Sequence, residues 1–346
     1  MIIKKQNYLK HAIVLFLLLL LMQPERAWAA YENVEFSSLT NHDGLTNSQV
    51  GAILKDTRGY IWFGTQSGLC RFDGFRMKTF YYINTDDKSL PNNSVDELQQ
   101  DYDGNIWVHT SVGYCIYKYD EEHFDRKPEE WLKNIHVQGP PYKLLIDKDK
   151  NMWIAVYGQG LYYHNAKTKN TYLFKFTKKA QPGCLKEGNI SKITEVDGDA
   201  LITYGDGTIC RVNGQKQKVF WYNSFLATHK AAGDNGAYTF YDGIGGFWLS
   251  VSNANYVYQS KTGKWTDARS YLTNMGIDIP CPTRILMRDI ARDKAGNLWV
   301  ASDHNGLFFV DFKRKICRQY VHSEAKGSIV DNSLQKVYVD DEGAIW

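Results

Sequence analysis

Short runs of alternating apolar and polar residues follow one another along most of the chain, separated by polar turns that contain glycine. In the first clear example, four such runs occur in succession: Val50–Leu54, Tyr60–Gly64, Leu69–Phe72 and Phe75–Tyr82. Alternation over so few residues is typical of β-strands. The intervening Asp56–Gly59 and Asp73-Gly74 segments favour tight turns, because aspartate bonds its own backbone and glycine accepts a positive φ. No helical period of apolar residues stands out beyond residue 30, so the pattern predicts an all-β fold.

One unit, D-x-x-G-x-(I/L)-W followed by a short strand, recurs through the chain. Its last position is held in turn by Trp62, Trp107, Trp153, Leu201, Trp248, Trp299 and Trp346, at steps of 45, 46, 48, 47, 51 and 47 residues. Lys150 replaces the glycine of the third copy, and the fourth copy, Val196–Leu201, is degenerate. A repeat of about 47 residues is the size of one four-stranded propeller blade.

The repeats therefore predict a seven-bladed β-propeller of four-stranded blades over residues 30–346, with the last blade incomplete at the C-terminus. The recurrent tryptophan is expected to fill the space between adjacent sheets, because large aromatic side chains dominate core packing.

The first 29 residues carry a different pattern, that of an export signal. Lys4, Lys5 and Lys10 flank the uninterrupted apolar run Ala12–Met22, and Ala27-Trp28-Ala29 forms an A-x-A cleavage site. The apolar run is shorter than the about 20 residues that a membrane-spanning helix needs. We predict a signal peptide over residues 1–29, a mature chain from Ala30 and a periplasmic location. An uncleaved anchor is the alternative.

Composition narrows the possible functions. With 41 Lys and Arg against 38 Asp and Glu, the net charge is only +3, and the one basic run, Lys313–Lys315, fits a solvated hairpin turn better than a nucleic-acid surface. The six cysteines contain no CxxC pair. Cys70 and Cys115 hold the same position in successive repeats, too far apart for a disulfide, so the cysteines are expected to be small buried apolar residues.

The full motif, D-x-x-G-x-I-W-(F/V)-G-T-x-x-G-L with a D-G hairpin after it, resembles the regulator-propeller repeat of Bacteroides-type hybrid two-component system histidine kinases. Ile61–Leu69 is close to the consensus of that repeat. The entry segments Phe36–Thr40 and Asp43–Val50 and the linker Lys88–Val95 are also similar to it. The resemblance covers essentially the whole chain after the signal peptide.

This resemblance implies a periplasmic sensor built from two seven-bladed propellers and an immunoglobulin-like domain, followed by a membrane helix and by kinase, receiver and DNA-binding modules. It implies an oligosaccharide ligand released from polysaccharides, control of glycan-use genes, and a homodimer of the full-length protein. Because the chain stops at Trp346, the kinase modules are missing from it. We therefore expect an N-terminal fragment that is not an enzyme, does not contact nucleic acid, and reaches the membrane only through missing C-terminal segments.

The end point also bears on ring closure. Glu32–Thr40 precedes the first strand of the first blade, where the outer strand of the seventh blade belongs, and is predicted to supply that strand. We hypothesise a truncated or split gene product whose ring closes poorly, because an unclosed propeller exposes sheet edges.

Motifs for catalysis or cofactor binding do not emerge from the sequence, which has neither a phosphate loop nor a zinc helix. Asp147–Asn151 is similar to a calcium loop, but Met152 and Gly158 stand where glycine and glutamate are required, which favours a polar turn. The repeat is also similar to the Asp-box of sialidases, in a different register. No cofactor or metal is predicted. The alternative function is a freestanding periplasmic propeller that acts as a carbohydrate-active enzyme or a protein-interaction scaffold.

A ligand is predicted on the face that carries the B–C and D–A loops, because these loops vary between blades while the turns of the opposite face are uniform. The B–C loops supply the candidates Gln66, His109, Tyr157, Gln159, Tyr204, Asp206, Asn253, Asp303, His304 and Asn305, and the D–A loops supply Arg284. Further residues of this face are Asn47, Ser67, Asn92, Asn93, Ser111, Asn189 and Ser252. Amides, carboxylates and tyrosine suit sugar hydroxyls and sugar rings.

Overall fold

The computed structural model describes residues 34–178, 183–222, 225, 237–251, 254–281 and 285–346. The predicted signal peptide, Asn253, Ser252 and Arg284 lie outside these residues.

The chain divides into a small unit, Met1–Ser38 with His322–Val330, and a large unit, Leu39–Val321 with Asp331–Trp346. In the small unit the Phe36 amide donates to the Gly327 carbonyl over 2.8 Å. Its described residues form no strand, so the predicted outer strand Glu32–Thr40 is not seen among them.

The described residues of the large unit form six sheets, antiparallel except for one short strand, and each is built from strands that follow one another in the chain. The first blade comprises β1 (Val50–Lys55), β2 (Ile61–Thr65), β3 (Gly68–Phe72) and β4 (Met77–Phe80). The second comprises β5 (Val95–Gln100), β6 (Ile106–Thr110), β7 (Gly113–Lys118) and β8 (His123–Asp125). The third comprises β9 (Pro141–Ile146), β10 (Met152–Val156), β11 (Gly160–His164), β12 (Thr171–Thr177) and a short parallel fifth strand, β13 (Leu185–Lys186).

The remaining three blades have four strands each. The fourth comprises β14 (Ile190–Val196), β15 (Asp199–Tyr204), β16 (Ile209–Asn213) and β17 (Lys218–Trp221). The fifth comprises β18 (Tyr238–Tyr241), β19 (Gly246–Val251), β20 (Ala254–Gln259) and β21 (Lys264–Asp267). The sixth comprises β22 (Leu286–Arg292), β23 (Leu298–Asp303), β24 (Leu307–Asp311) and β25 (Ile316–Tyr320).

The first strand of each blade is called strand A. In the first five blades the A strands of neighbouring blades contact each other, β1 with β5, β5 with β9, β9 with β14 and β14 with β18. Gln99 of β5 donates to the Leu144 carbonyl of β9 over 2.7 Å, and Thr194 of β14 donates to the Thr239 carbonyl of β18 over 2.9 Å. These side-chain bonds join separate sheets where backbone ladders do not reach. The architecture is the all-β propeller that the repeats predict.

Short helices interrupt the β-structure, although no helical period stands out in the sequence. The described residues form a 3₁₀ turn, Asn41–Asp43, and two α-helices, α1 (Pro128–Lys133) and α2 (Ala268–Asn274). Both α-helices follow the last strand of a blade. At six and seven residues they are too short to show a 3.6-residue apolar period in the sequence.

The conserved turn of the repeat is held by its aspartate. In the second blade, Asp101 Oδ1 accepts the amides of Asp103 and Asn105 at 2.9 Å each, and Asp101 Oδ2 accepts the indole N–H of Trp107 at 2.9 Å. The same three contacts recur around Asp147, which confirms the polar turn there over the calcium loop. Lys150 keeps the left-handed conformation of the glycine it replaces, with φ of 64°.

The degenerate fourth copy has a different turn. Strands β14 and β15 are joined directly through Asp197 and Gly198, both with positive φ, as in a two-residue hairpin. Leu201 is fully buried at the tryptophan position and packs with Phe247 of the next blade. Trp62, Trp107 and Trp153 are fully buried as well, and each lies in a cluster with residues of the following blade. The predicted packing role of this position is confirmed.

Cysteines pack as small apolar groups at corresponding points of strand C. Cys70, Cys115 and Cys210 are fully buried free thiols, and burial raises the pKa of each above its ordinary value. The prediction of burial is confirmed for these three cysteines and for Cys281, while Cys184 and Cys317 are half-buried.

The seventh copy forms its turn without a sheet among the described residues. Asp340 accepts the amides of Glu342 and Ala344 and the indole N–H of Trp346, and Val339 and Ile345 form an isolated bridge. The described residues thus show six blades and the turn of a seventh. Within the same described residues, no helix combines the length and apolar character that crossing a membrane requires.

Candidate functional site

A cavity of about 370 Å³ occupies the centre of the propeller. Strands β1, β5, β9, β14, β18 and β22 line it, together with Lys336 from the seventh copy. The lining residues extend along these strands, from Asp96 to Gln99 in β5, from Lys143 to Leu145 in β9 and from Ser191 to Ile193 in β14. The cavity therefore runs along the inner strands.

Bulges at the start of strand A place pairs of successive polar residues at the cavity wall. The pairing register shifts between Val95 and Glu97, between Ile190 and Lys192, and between Met287 and Asp289. Each bulge inserts one extra residue, and a bulge re-aims side chains that strict alternation would send to opposite faces. The pairs Asp96-Glu97, Ser191-Lys192 and Arg288-Asp289 thus line the cavity with both members.

Most of the charged groups of this wall form ion pairs. Glu97 accepts from Lys143 at 2.8 Å and from the Tyr114 hydroxyl at 2.6 Å. Burial opposes the charge of Lys143, but the Glu97 carboxylate outweighs it and raises the Lys143 pKa. Burial and the Glu97 charge together hold the Tyr114 pKa well above its ordinary value, so Tyr114 stays a neutral donor.

The other side of the cavity carries a second set of pairs. Asp289 accepts from Lys336 at 3.3 Å, and the nearly buried Asp303 pairs with Arg288. Hydrogen bonding by Ser333 and then the Arg288 charge lower the Asp303 pKa. The Lys336–Asp289 pair and the Ser333–Asp303 hydrogen bond fix the chain after β25 against the sixth blade.

His109 is half-buried and is the penultimate residue of β6, at the edge of the predicted B–C loop. Its Nδ1 lies 2.5 Å from Asp96 Oδ1, and its ring centroid lies 4.4 Å from that of Tyr114. His109 thereby orients a carboxylate of the cavity wall, so the structure brings this predicted residue next to the site.

Tyr157 is the predicted candidate with the most exposed aromatic surface. It is 69% exposed and stacks on Tyr142, with ring centroids 4.0 Å apart and planes 20° from parallel. The stack holds one face of the outer ring in position. Gln159 lies beside this loop, half-buried, and donates to the Gln138 carbonyl over 2.8 Å.

Tyr204 was predicted as a loop residue for ligand contact, but it lies in a strand. It is the last residue of β15, is 1% exposed, and donates its hydroxyl to the Lys186 carbonyl over 3.1 Å. An aromatic residue at the end of a strand looks the same in the sequence whether it faces the loop or the core. Asp206, two residues on, is exposed and pairs with Lys186 at 2.6 Å.

Asp303 also ends a strand, β23, where a loop residue was predicted; it is nearly buried and already engaged by Arg288 and Ser333. His304 is exposed, with φ of 69° and Nδ1 2.7 Å from Asp303. Asn305 is half-buried and donates to Cys281 Sγ over 3.5 Å. Gln66 is exposed and accepts from the Ser94 hydroxyl at 3.0 Å.

Several other loop residues of this face hold the loops themselves. Asn47 donates to Ser67, Asn92 accepts the Ser94 amide, and Asn93 accepts the Tyr82 amide. Their side chains hold the loops in shape, so fewer of their hydrogen-bonding groups are available to a ligand than the sequence suggested.

Sequence reasoning missed the strand A residues of the cavity. The signal was present as adjacent polar residues, such as Ser191-Lys192 and Arg288-Asp289, where an alternating strand should show only one. Among the described residues, no group of histidine, cysteine, aspartate and glutamate is arranged to hold a metal ion.

Comparison with known proteins agrees with the repeat and the fold. Residues 44–67 and 89–111 match the family model described as two component regulator propeller. The extracellular domain of the hybrid two component system BT3049 from B. thetaiotaomicron superposes with a TM-score of 0.65 at 20% identity, over 91% of this chain and 40% of that one. The corresponding domain of BT4673 from the same organism gives 0.64 at 18% identity, over 91% and 38%.

A structure of YCF48 bound to D1 peptide shares the propeller fold, with a TM-score of 0.51 at 9% identity over 88% of this chain and 93% of that one. No curated protein sequence is significantly similar to the chain. The chain spans about two fifths of the length of the two B. thetaiotaomicron domains. Two segments of the chain thus match the two-component regulator propeller model, as the resemblance predicts, and the fold is shared with extracellular domains of hybrid two-component systems.

Proposed function

We propose that this chain is the ligand-sensing propeller of a hybrid two-component regulator, located in the periplasm after removal of residues 1–29. In this proposal the propeller has seven blades, a homodimer forms in the full-length protein, and kinase modules outside this chain relay the signal to glycan-use genes. The central cavity carries the proposal, because the inner strands of the six described blades line it with polar and charged side chains.

An oligosaccharide from polysaccharide breakdown is the proposed ligand. A cavity of about 370 Å³ is at the small end of the range for ligand pockets and suits the terminal unit of a saccharide. Tyr157 adds an exposed aromatic face that is already held by Tyr142, and such faces stack on sugar rings. The carboxylates, ammonium groups and tyrosines of the wall supply donors and acceptors for hydroxyl groups.

Calorimetric titration of the purified chain with neutral and acidic oligosaccharides tests the proposal. Tyr157→Ala is expected to raise the Kd for a bound saccharide by roughly two- to tenfold, since an aromatic contact contributes about 0.5–1.5 kcal/mol. Phe75→Ala is the matched control, because Phe75 is 94% exposed in the C–D hairpin of the first blade, on the opposite face. Equal losses in both variants would remove the loop face from the binding site.

Chromatography of the ligand after incubation separates sensing from catalysis. A sensor leaves the oligosaccharide intact, whereas shortened products would favour the carbohydrate-active enzyme. Absence of binding by every saccharide tested would contradict the proposed function.

A further inference from the structure

One cation of the central cavity has no carboxylate partner among the described residues. The wall contains four cationic side chains and three carboxylates: Lys143, Lys192, Arg288 and Lys336, and Asp96, Glu97 and Asp289. Each carboxylate of the wall has a partner: Glu97 pairs with Lys143, Asp289 with Lys336 and Asp96 with His109. Arg288 forms an ion pair with Asp303, which is not part of the wall. Lys192 is left over, although it lies in the same wall.

Lys192 is positioned by its surroundings. It follows the bulge residue Ser191, whose hydroxyl is held by the Thr203 and Ala237 carbonyls. Its ammonium nitrogen lies 3.6 Å from the centroid of the Phe240 ring, a favourable cation–π geometry that fixes the direction of the side chain.

The charge of Lys192 is incompletely compensated. The side chain keeps part of its surface open, yet the surrounding protein desolvates the ammonium and lowers its pKa to about 8. Of the charged groups that face it, Asp289 and Glu97 raise the pKa, and Lys336 and Lys143 lower it. An anion that entered the cavity would satisfy this cation and would raise the pKa again.

We propose that Lys192 binds the anionic group of an acidic saccharide in the central cavity. This inference rests on the proposed function and narrows its ligand class. The anionic group carries a single charge, because Asp96, Glu97 and Asp289 also face the cavity and would repel a dianion such as a phosphate monoester. A uronate carboxylate and a sugar sulfate ester both satisfy this condition.

Matched saccharides test the charge requirement. The full chain is titrated calorimetrically with oligogalacturonate, with a sulfated galacto-oligosaccharide and with the neutral galacto-oligosaccharide of the same length. We expect the wild-type chain to bind one acidic form at least tenfold more tightly than the neutral form, and the comparison of the two acidic forms identifies the anionic group.

Substitution of the cation tests the residue. Lys192→Met keeps the apolar stem over Phe240 and removes the charge, and we expect a ten- to hundredfold weaker affinity for the acidic saccharide, the usual effect of losing a hydrogen bond to a charged group of about 1.5–3 kcal/mol. Lys192→Arg should retain most of the affinity. Lys313→Met removes the same charge from an exposed turn outside the cavity and should leave the affinity unchanged.

The pH dependence provides a readout that does not depend on folding of the variants. The ligand binds the ammonium form, so affinity is full below the Lys192 pKa of about 8 and falls above it. Between pH 7 and pH 9 the wild-type affinity for the acidic saccharide should fall about tenfold, while its affinity for a neutral saccharide stays constant.

The outcomes separate the two proposals. A neutral saccharide that binds wild type and Lys192→Met equally well, with no preference for acidic forms, would overturn the role of Lys192 and leave the sensing function intact. An acidic preference that survives in Lys192→Met would place the anion at another cation and also overturn the inference. If wild type binds none of the saccharides, the proposed function itself fails.

Discussion

At the scale of single residues, the repeat aspartate is the point on which each blade depends. The sequence predicts the turn, because aspartate and glycine at this spacing favour it. The structure adds the second oxygen of the carboxylate, which accepts the indole N–H of the tryptophan six residues on. One side chain thus ties the turn to the core, and the repeat retains aspartate and tryptophan together in six of its copies.

Asp101 offers a direct test of this linkage. Asp101→Ala leaves the Asn105 amide and the Trp107 indole without their acceptor in a buried position, and the free energy of unfolding should fall by about 2–4 kcal/mol. Asp103→Ala, in the exposed part of the same turn, should change it by less than about 0.5 kcal/mol. Urea unfolding followed by tryptophan fluorescence measures both. Equal effects in the two variants would contradict the role of Asp101.

Individual site residues were harder to predict than the turn. Tyr157 is as exposed as expected, because glycine follows it in a short loop that leaves the ring no place in the core. Tyr204 is buried because it is still part of β15, whose last residue it is, and the loop begins only after it. Lys192 escaped notice because only a bulge turns it to the cavity, and a bulge depends on the pairing partner, which the sequence of one strand does not reveal.

At the scale of elements, the four-stranded blade was predictable nearly to the residue. In the first blade the strands Val50–Lys55, Ile61–Thr65 and Gly68–Phe72 each lie within one residue of the predicted bounds, whereas the outer strand is shorter than predicted. The outer strand pairs on one side only, so it ends where the twist carries it away from strand C. The fifth strand of the third blade came without any sequence signal, because two residues are too few to show alternation.

Glycines in the third blade test how tightly neighbouring strands approach. A Cβ at Gly160 would lie 2.0 Å from the Phe174 carbonyl oxygen of the paired strand, while a Cβ at Gly158 would meet nothing within 4 Å. Both have positive φ, so Gly158→Ala should cost about 1–2 kcal/mol in backbone strain alone. Gly160→Ala should cost a further 1–3 kcal/mol, roughly, from the clash.

Thermal unfolding of the two alanine variants distinguishes these contributions. The midpoint of Gly160→Ala is expected several degrees below that of Gly158→Ala. Equal midpoints would mean that β11 and β12 can move apart without lowering the midpoint of unfolding. The close pairing of these strands would then not contribute to stability.

At the scale of the whole propeller, the sequence predicted seven repeats in a ring, and the large unit shows how the ring is joined. Residues of the seventh copy contact the sixth blade through Lys336 and Asp289 and through the Leu334 amide and the Ser302 carbonyl. On the other side, the first blade reaches the seventh turn through Lys55. The hypothesis of poor closure came from counting strands, and it stays a prediction.

Lys55 lies at the junction of the first and seventh repeats. Its ammonium is 2.8 Å from Glu342, 3.2 Å from Asp341 and 3.8 Å from Asp340, and the hydrogen bond that Lys55 donates to Glu342 raises the Lys55 pKa well above its ordinary value. The Lys55 amide also donates to the Tyr338 hydroxyl over 3.2 Å. Tyr338 and Trp346 in turn exchange backbone hydrogen bonds of 2.9 and 2.8 Å.

Lys55→Met should therefore open the junction locally. Hydrogen exchange measured by mass spectrometry is expected to quicken at the amides of Tyr338 and Trp346, because the turn loses its charge partner, while β10 and β11 of the third blade keep their protection. Lys167→Met, in an exposed turn of the third blade, should leave exchange unchanged throughout. Faster exchange in every blade would show that the ring unfolds as one unit, and unchanged exchange at Tyr338 would show that Lys55 does not hold the junction. The expected local response would identify the first and seventh repeats as the site where this propeller opens first.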